Sequence, residues 1–120
     1  MKANITHNAL LSLNYNEQIG LNGIVQELTD KFQFIKKVIL YGSKARVDFV
    51  GDSDIDLLFI LEREVSRLEK SEMSDIIYDY ELANDIVISA IFIPEHEFRD
   101  KASIFLAKVR KEGIVIWSRG

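Results

Sequence analysis

The sequence predicts an α/β (α+β) fold in which a small mixed β-sheet is covered by helices. Three observations predict it. Apolar runs rich in β-branched residues, at 37–41, 53–61 and 85–93, each have the length of a strand. Between and around them lie segments whose apolar residues recur at helical spacing. One proline and six glycines in 120 residues leave no room for a Pro/Gly-rich linker, and no internal repeat is present. Residues 1–120 therefore read as one domain, with 1–14 as a peripheral N-terminal segment.

From residue 16 to 34, Ile19, Leu21, Ile24, Val25, Leu28 and Phe32 describe one apolar face, so this segment reads as an amphipathic helix despite Gly20 and Gly23. The run KVILY at 37–41, ended by Gly42, suits a strand buried on both faces. The second strand, SDIDLLFIL at 53–61, follows the turn-forming residues 50–52, and its apolar C-terminal half suits the centre of a sheet. Residues 66–83 set Leu68, Ile76, Ile77, Tyr80 and Leu82 among charges, the pattern of a helix lying on a sheet. The third strand is expected at 85–93. Pro94 ends it and starts a short helix through Glu95, Glu97 and Phe98. A last helix at 103–112 is capped by Gly113, and IVIW after it makes a terminal strand.

Composition narrows the function classes. Fifteen Lys and Arg against nineteen Asp and Glu give a net charge of −4, which argues against tight non-specific binding to nucleic acid. The absence of cysteine excludes a disulfide framework and a thiolate zinc site. No apolar run reaches the roughly 18 to 20 residues that span a bilayer, and the start MKANITHNALL lacks the apolar core of a signal peptide. The expectation is a soluble, unexported, cytoplasmic protein.

Chemistry concentrates in LYGSKARVDFVGDSDIDLLFIL, residues 40–61. Strand alternation puts Asp54 and Asp56 on one face, their Cα atoms roughly 7 Å apart. Two carboxylates so close raise each other's pKa unless a cation intervenes, and hard oxygen ligands favour Mg²⁺ or Mn²⁺. Gly42 and Ser43 supply the complementary half. A glycine where a strand turns into a helical start lets backbone approach a ligand, and the exposed amides there attract phosphate. Ser43 adds a hydroxyl, and Lys44 and Arg46 add positive charge. Taken singly, each feature is an ordinary turn, strand end or surface cation; the ordered combination describes a site for a metal-bound nucleoside triphosphate.

That combination, G-S-x10-D-x-D, resembles the signature of the nucleotidyltransferase superfamily related to DNA polymerase beta. GSKAR followed by SDIDLLFI is more closely similar to the minimal nucleotidyltransferases (MNT), small proteins often encoded beside a HEPN-domain partner as toxin–antitoxin pairs. The likeness extends over roughly residues 37–117. It implies that Gly42 and Ser43 hold the triphosphate, with Lys44 and Arg46 beside them, and that Asp54 and Asp56 bind the catalytic metals. It also implies transfer of a nucleoside monophosphate, most often AMP from ATP, to an acceptor hydroxyl, with release of pyrophosphate. Bridging Mg²⁺ ions suit such a reaction because negative charge builds on both the entering and leaving oxygens.

The superfamily usually carries a third carboxylate on the strand that here reads DIVISAIFI. Ser89 is the expected occupant of that position, because Asp85 shares its parity but lies roughly 13 Å earlier along the strand. Val47 also replaces a glycine common in the motif. A second reading is therefore a non-catalytic nucleotide-binding or antitoxin-like protein that masks its partner by contact. A receiver domain fits poorly, since KVILYGS carries no acidic pair. His7 and His96 read as surface histidines, Tyr41 as core or pocket wall, and Asp48 and Asp52 as loop acids. Ile114, Val115, Ile116 and Trp117 are expected to form an exposed apolar patch, a contact for a partner or for a homo-oligomer. With no acceptor domain in the chain, the acceptor is expected on a separate protein.

Overall fold

The computed structural model describes residues 12–46 and 54–120. Expectations for His7, Val47, Asp48 and Asp52 lie outside the described residues. Helix α1 spans Tyr15–Lys31, strand β1 Ile35–Tyr41, and a 3-10 turn Gly42–Ala45; β2 follows at Ile55–Leu61 and α2 at Arg67–Asn84. Strand β3 covers Ile88–Pro94, α3 Glu95–Asp100, α4 Ile104–Glu112 and β4 Ile114–Ser118. The four strands form one sheet in the order β3-β2-β1-β4. β2 and β3 run parallel, while β1 pairs antiparallel with both β2 and β4, so the sheet is mixed as expected.

Local chemistry accounts for the helix starts. Asn14 and Ser66 each close a capping box, with Glu17 and Glu69 returning the bond to the cap's own N–H. Arg63 grips both carboxylate oxygens of Glu69 at 3.0 and 3.1 Å, which holds that carboxyl down at about 2. Ser103 caps α4 by accepting from the Leu106 N–H.

Alternation along the strands divides the core in two. Val38, Leu40, Leu57 and Phe59 face Leu21, Ile24 and Leu28 of α1 and Met73, Ile76 and Ile77 of α2. Ile39, Leu58, Ile60 and Ile93 face Leu106 and Val109 of α4, with Tyr41 and Phe98 at the border. The two helices of the first layer approach closely because Gly23 leaves its space to the Tyr80 ring: a Cβ there would lie 2.4 Å from Tyr80 Cε1. The Tyr80 hydroxyl then donates to Glu27 at 2.8 Å. Both glycines that count against helix propensity in α1 thus sit where the helix must admit a neighbour, Gly20 facing Ile86.

Several expectations need correction. The third strand starts at Ile88 rather than at residue 85, because Asp85 caps α2 in the left-handed region, φ 54°. Ile19, Leu68 and Leu82 are exposed. The terminal segment forms no continuous apolar patch. Pairing with β1 buries Ile116 and packs Ile114 and Trp117 against the core, so only Val115 of the four is exposed. Arg119 secures this strand: Nε donates to the Ile35 carbonyl at 2.9 Å, and the guanidinium lies over the Trp117 ring.

Phe59 is fully buried in the central strand and stacks on Phe92 at 5.1 Å. Phe59→Ala should lower unfolding free energy by about 3–5 kcal/mol, read from urea denaturation, since the rigid sheet collapses little around the void.

Candidate nucleotide and metal site

The site lies on the α4 side of the sheet, where β1 ends and β2 and β3 begin. Register fixes three residues in a row across the strands: Tyr41 on β1 pairs with Asp56 on β2, and Asp56 pairs with Ser89 on β3. Alternation sets these on the face that carries Leu58 and Ile60, away from α1 and α2. Asp54, two residues before Asp56, shares that face and is exposed, whereas Asp56 is half-buried.

The turn after β1 is built around Asp56. Gly42 adopts φ +72°, and a Cβ there would fall 2.2 Å from Asp56 Oδ2. The carboxylate thus occupies the volume that any side chain at 42 would need, and the backbone conformation is itself one that L residues disfavour. Ser43 follows in the 3-10 turn, whose end is closed by the Arg46 N–H donating to the Ser43 carbonyl at 3.1 Å. The Arg46 side chain is exposed beside the turn.

Electrostatics at this corner favour a cation. Partial burial pushes the Asp56 carboxyl above its ordinary range, and the nearby charge of Asp54 pushes it further the same way. Burial also raises the Tyr41 phenol, with the charge of Asp56 adding to it. No group of three or more His, Cys, Asp or Glu side chains suited to a metal occurs among the described residues. Two carboxylates nonetheless match the hard-ion case, because Mg²⁺ is commonly held by one or two carboxylates together with substrate phosphates.

Lys44 departs from its expected place on the triphosphate. Its ammonium turns inward, 3.0 Å from Glu17 Oε2 and 3.2 Å from Oε1, and the residue is 4% exposed. Glu17 Oε1 also accepts from the Asn14 N–H at 2.9 Å. The Lys44 carbonyl accepts from the Ser12 hydroxyl. Lys44 therefore ties the turn to the start of α1, a role invisible in the motif because its partner lies 27 residues away.

Sequence reasoning also missed the wall opposite Gly42. Tyr41, Gly42, Phe105, Lys108, Val109 and Glu112 line a cleft of about 210 Å³, with the Tyr41 and Phe105 rings edge to face at 5.4 Å. The apolar residues of 103–112 read as a core face, and nothing local indicated that α4 returns to the end of β1. Asp85 and His96 lie outside the row formed by Tyr41, Asp56 and Ser89, on the α2 cap and on α3 respectively.

Two outcomes follow from these contacts. Lys44→Met leaves the Glu17 carboxylate buried without its cation and should cost about 3–5 kcal/mol in chemical denaturation, whereas Lys44→Met with Glu17→Leu should recover most of that loss. For Asp56, the folded-state pKa lies above the unfolded one, so its ionisation destabilises the fold as pH rises through and beyond the ordinary carboxylate range. In metal-free buffer with EDTA, Asp56→Asn should melt higher than wild type at pH 7, and the difference should vanish near pH 3; an equal or lower melting temperature at pH 7 would contradict it.

Comparison with known proteins agrees with the geometry. The family model described as a nucleotidyltransferase domain matches residues 21–113. A Methanocaldococcus jannaschii protein, provisionally named a protein adenylyltransferase, is 34% identical over 104 residues, covering 85% of this chain and 99% of that protein. Among solved structures, a Sulfolobus solfataricus protein provisionally named a nucleotidyltransferase superposes with a TM-score of 0.57 at 23% identity, over 95% of this chain and 90% of that one. A structure of a tri-AMPylated Shewanella oneidensis HEPN toxin in complex with MNT antitoxin matches with a TM-score of 0.54 at 18% identity, covering 85% of this chain and 72% of the other. The Gly42 turn and the Asp54-x-Asp56 segment fall within the matched residues, and the chain belongs to the nucleotidyltransferase domain family.

Proposed function

We propose that this nucleotidyltransferase moves AMP from ATP to a hydroxyl on a partner protein, and that the partner is a HEPN-type toxin for which it acts as antitoxin. The observation that carries the chemistry is the Asp56 carboxylate packed against the Gly42 backbone, with Asp54 beside it. The choice of acceptor draws on the relative named for protein adenylylation and on the neighbour whose toxin is AMPylated. An acidic chain also suits a protein acceptor better than a long nucleic acid.

In this reading the turn Gly42-Ser43 holds the phosphates through backbone N–H groups and the Ser43 hydroxyl, with Arg46 at the exposed rim. Asp54 and Asp56 would hold Mg²⁺, which would supply positive charge to offset the negative charge that builds up during transfer. The acceptor oxygen forms a bond to the α-phosphorus while the bond from that phosphorus to the oxygen bridging toward the β-phosphorus breaks. Pyrophosphate leaves with the electron pair, and the hydroxyl proton passes to solvent. The protein's part is positioning and fixed charge.

Ser89 pairs with Asp56 across the parallel strands, and in this reading it stands where the family's third carboxylate would be. That register favours a second reading, in which the chain binds nucleotide and masks its partner without transferring AMP.

Titration with ATP and Mg²⁺, followed by incubation of labelled ATP with a co-encoded HEPN protein, separates the two. Transfer should fall roughly a hundred-fold or more in Asp54→Ala with Asp56→Ala, as expected for losing a group that stabilises transition-state charge. Toxin masking without label transfer supports the binder, and ATP binding indifferent to both Mg²⁺ and the double substitution removes the metal–nucleotide site.

A further inference from the structure

With Lys44 drawn to Glu17, Arg46 at the rim is the motif's remaining cation for the nucleotide, and α4 presents a second. Lys108 is exposed and lines the cleft that opens at Gly42. Around it the walls are mostly apolar: the Phe105 ring, 41% exposed, packs edge to face with Tyr41, Val109 adds to the lining, and Glu112 is the one acid there. An apolar wall offers little to a phosphate, which needs N–H donors and positive charge. It does suit the face of a nucleobase, for which an aromatic side chain is a stacking platform whatever the base. At about 210 Å³ the cleft is smaller than the roughly 300–1,000 Å³ typical of a complete small-molecule site, so it fits part of a nucleotide. The remainder has its place next door, because Gly42 belongs both to the cleft and to the turn that packs on Asp56.

We propose that the cleft between the Gly42 turn and α4 is the nucleoside subsite, with the base against Phe105 and Val109 and the Lys108 ammonium directed to the phosphates. This rests on the reading of the Gly42 turn and Asp54/Asp56 as the metal–phosphate site. Phe105 and Lys108 are then binding residues that the G-S-x10-D-x-D pattern does not contain. Stacking is tolerant of base identity, so this subsite fixes the position of the α-phosphorus more than it selects among bases.

Calorimetric titration of the full chain with ATP and, separately, with inorganic tripolyphosphate, both in Mg²⁺, tests the assignment. Wild type should bind ATP more tightly than tripolyphosphate. Phe105→Ala should weaken ATP by roughly five- to a hundred-fold and leave tripolyphosphate unchanged, the range seen when a stacking side chain is removed. Lys108→Ala should weaken both by about five-fold, as for one cation near a phosphate. Because Lys108 is exposed, this variant keeps the test decisive if Phe105→Ala disturbs the packing of Tyr41. Wild type binding both ligands equally, or Phe105→Ala affecting both or neither, overturns the subsite while leaving the metal–phosphate reading intact. Failure of wild type to bind either ligand overturns both.

Discussion

The contact between Gly42 and Asp56 is the constraint from which the functional end of this molecule is built. A carboxylate can approach backbone that closely only where no Cβ intervenes, and the chain can turn away from β1 in that conformation at little cost only at glycine. Antiparallel pairing of β1 with β2 brings the two residues together, since Tyr41 lies opposite Asp56. The turn and the acidic strand end are therefore one unit. Partial burial and the charge of Asp54 hold the Asp56 carboxyl above its ordinary range, so a cation beside it would relieve a cost.

Support for this unit comes from both faces of the sheet. On the α1 and α2 side, a well-filled apolar layer holds β1 and β2 in register. On the other side, α4 covers the end of β1, while Asp54 and Ser89 are exposed among the described residues. The buried Lys44–Glu17 pair links the turn to the α1 cap. Each charge there would be a liability alone, and as a pair they fix where the turn sits.

Much of this was legible in the sequence because it is written in local pattern. Alternation showed that Asp54 and Asp56 share a face, the β-branched runs showed the strands, and the spacing of Gly42-Ser43 from the two acids pointed to the candidate site. What stayed hidden depends on contacts between distant segments. The inward turn of Lys44 needs Glu17; the cleft needs α4 to return to β1; the burial of Ile116 needs β4 to find the free edge of β1. The late start of β3 was missed for a different reason. DIVISAIFI is apolar but for Asp85 and Ser89, and only the left-handed cap at Asp85 shows that its first residue belongs to the end of α2.

The row Tyr41, Asp56, Ser89 also orders traffic. Tyr41 stands under α4, while Ser89 belongs to the outermost strand. If the site is read as proposed, an acceptor approaching Asp56 from the β3 edge and a nucleotide held under α4 would lie on opposite sides of this row. That separation would suit direct transfer between two molecules bound at the same time.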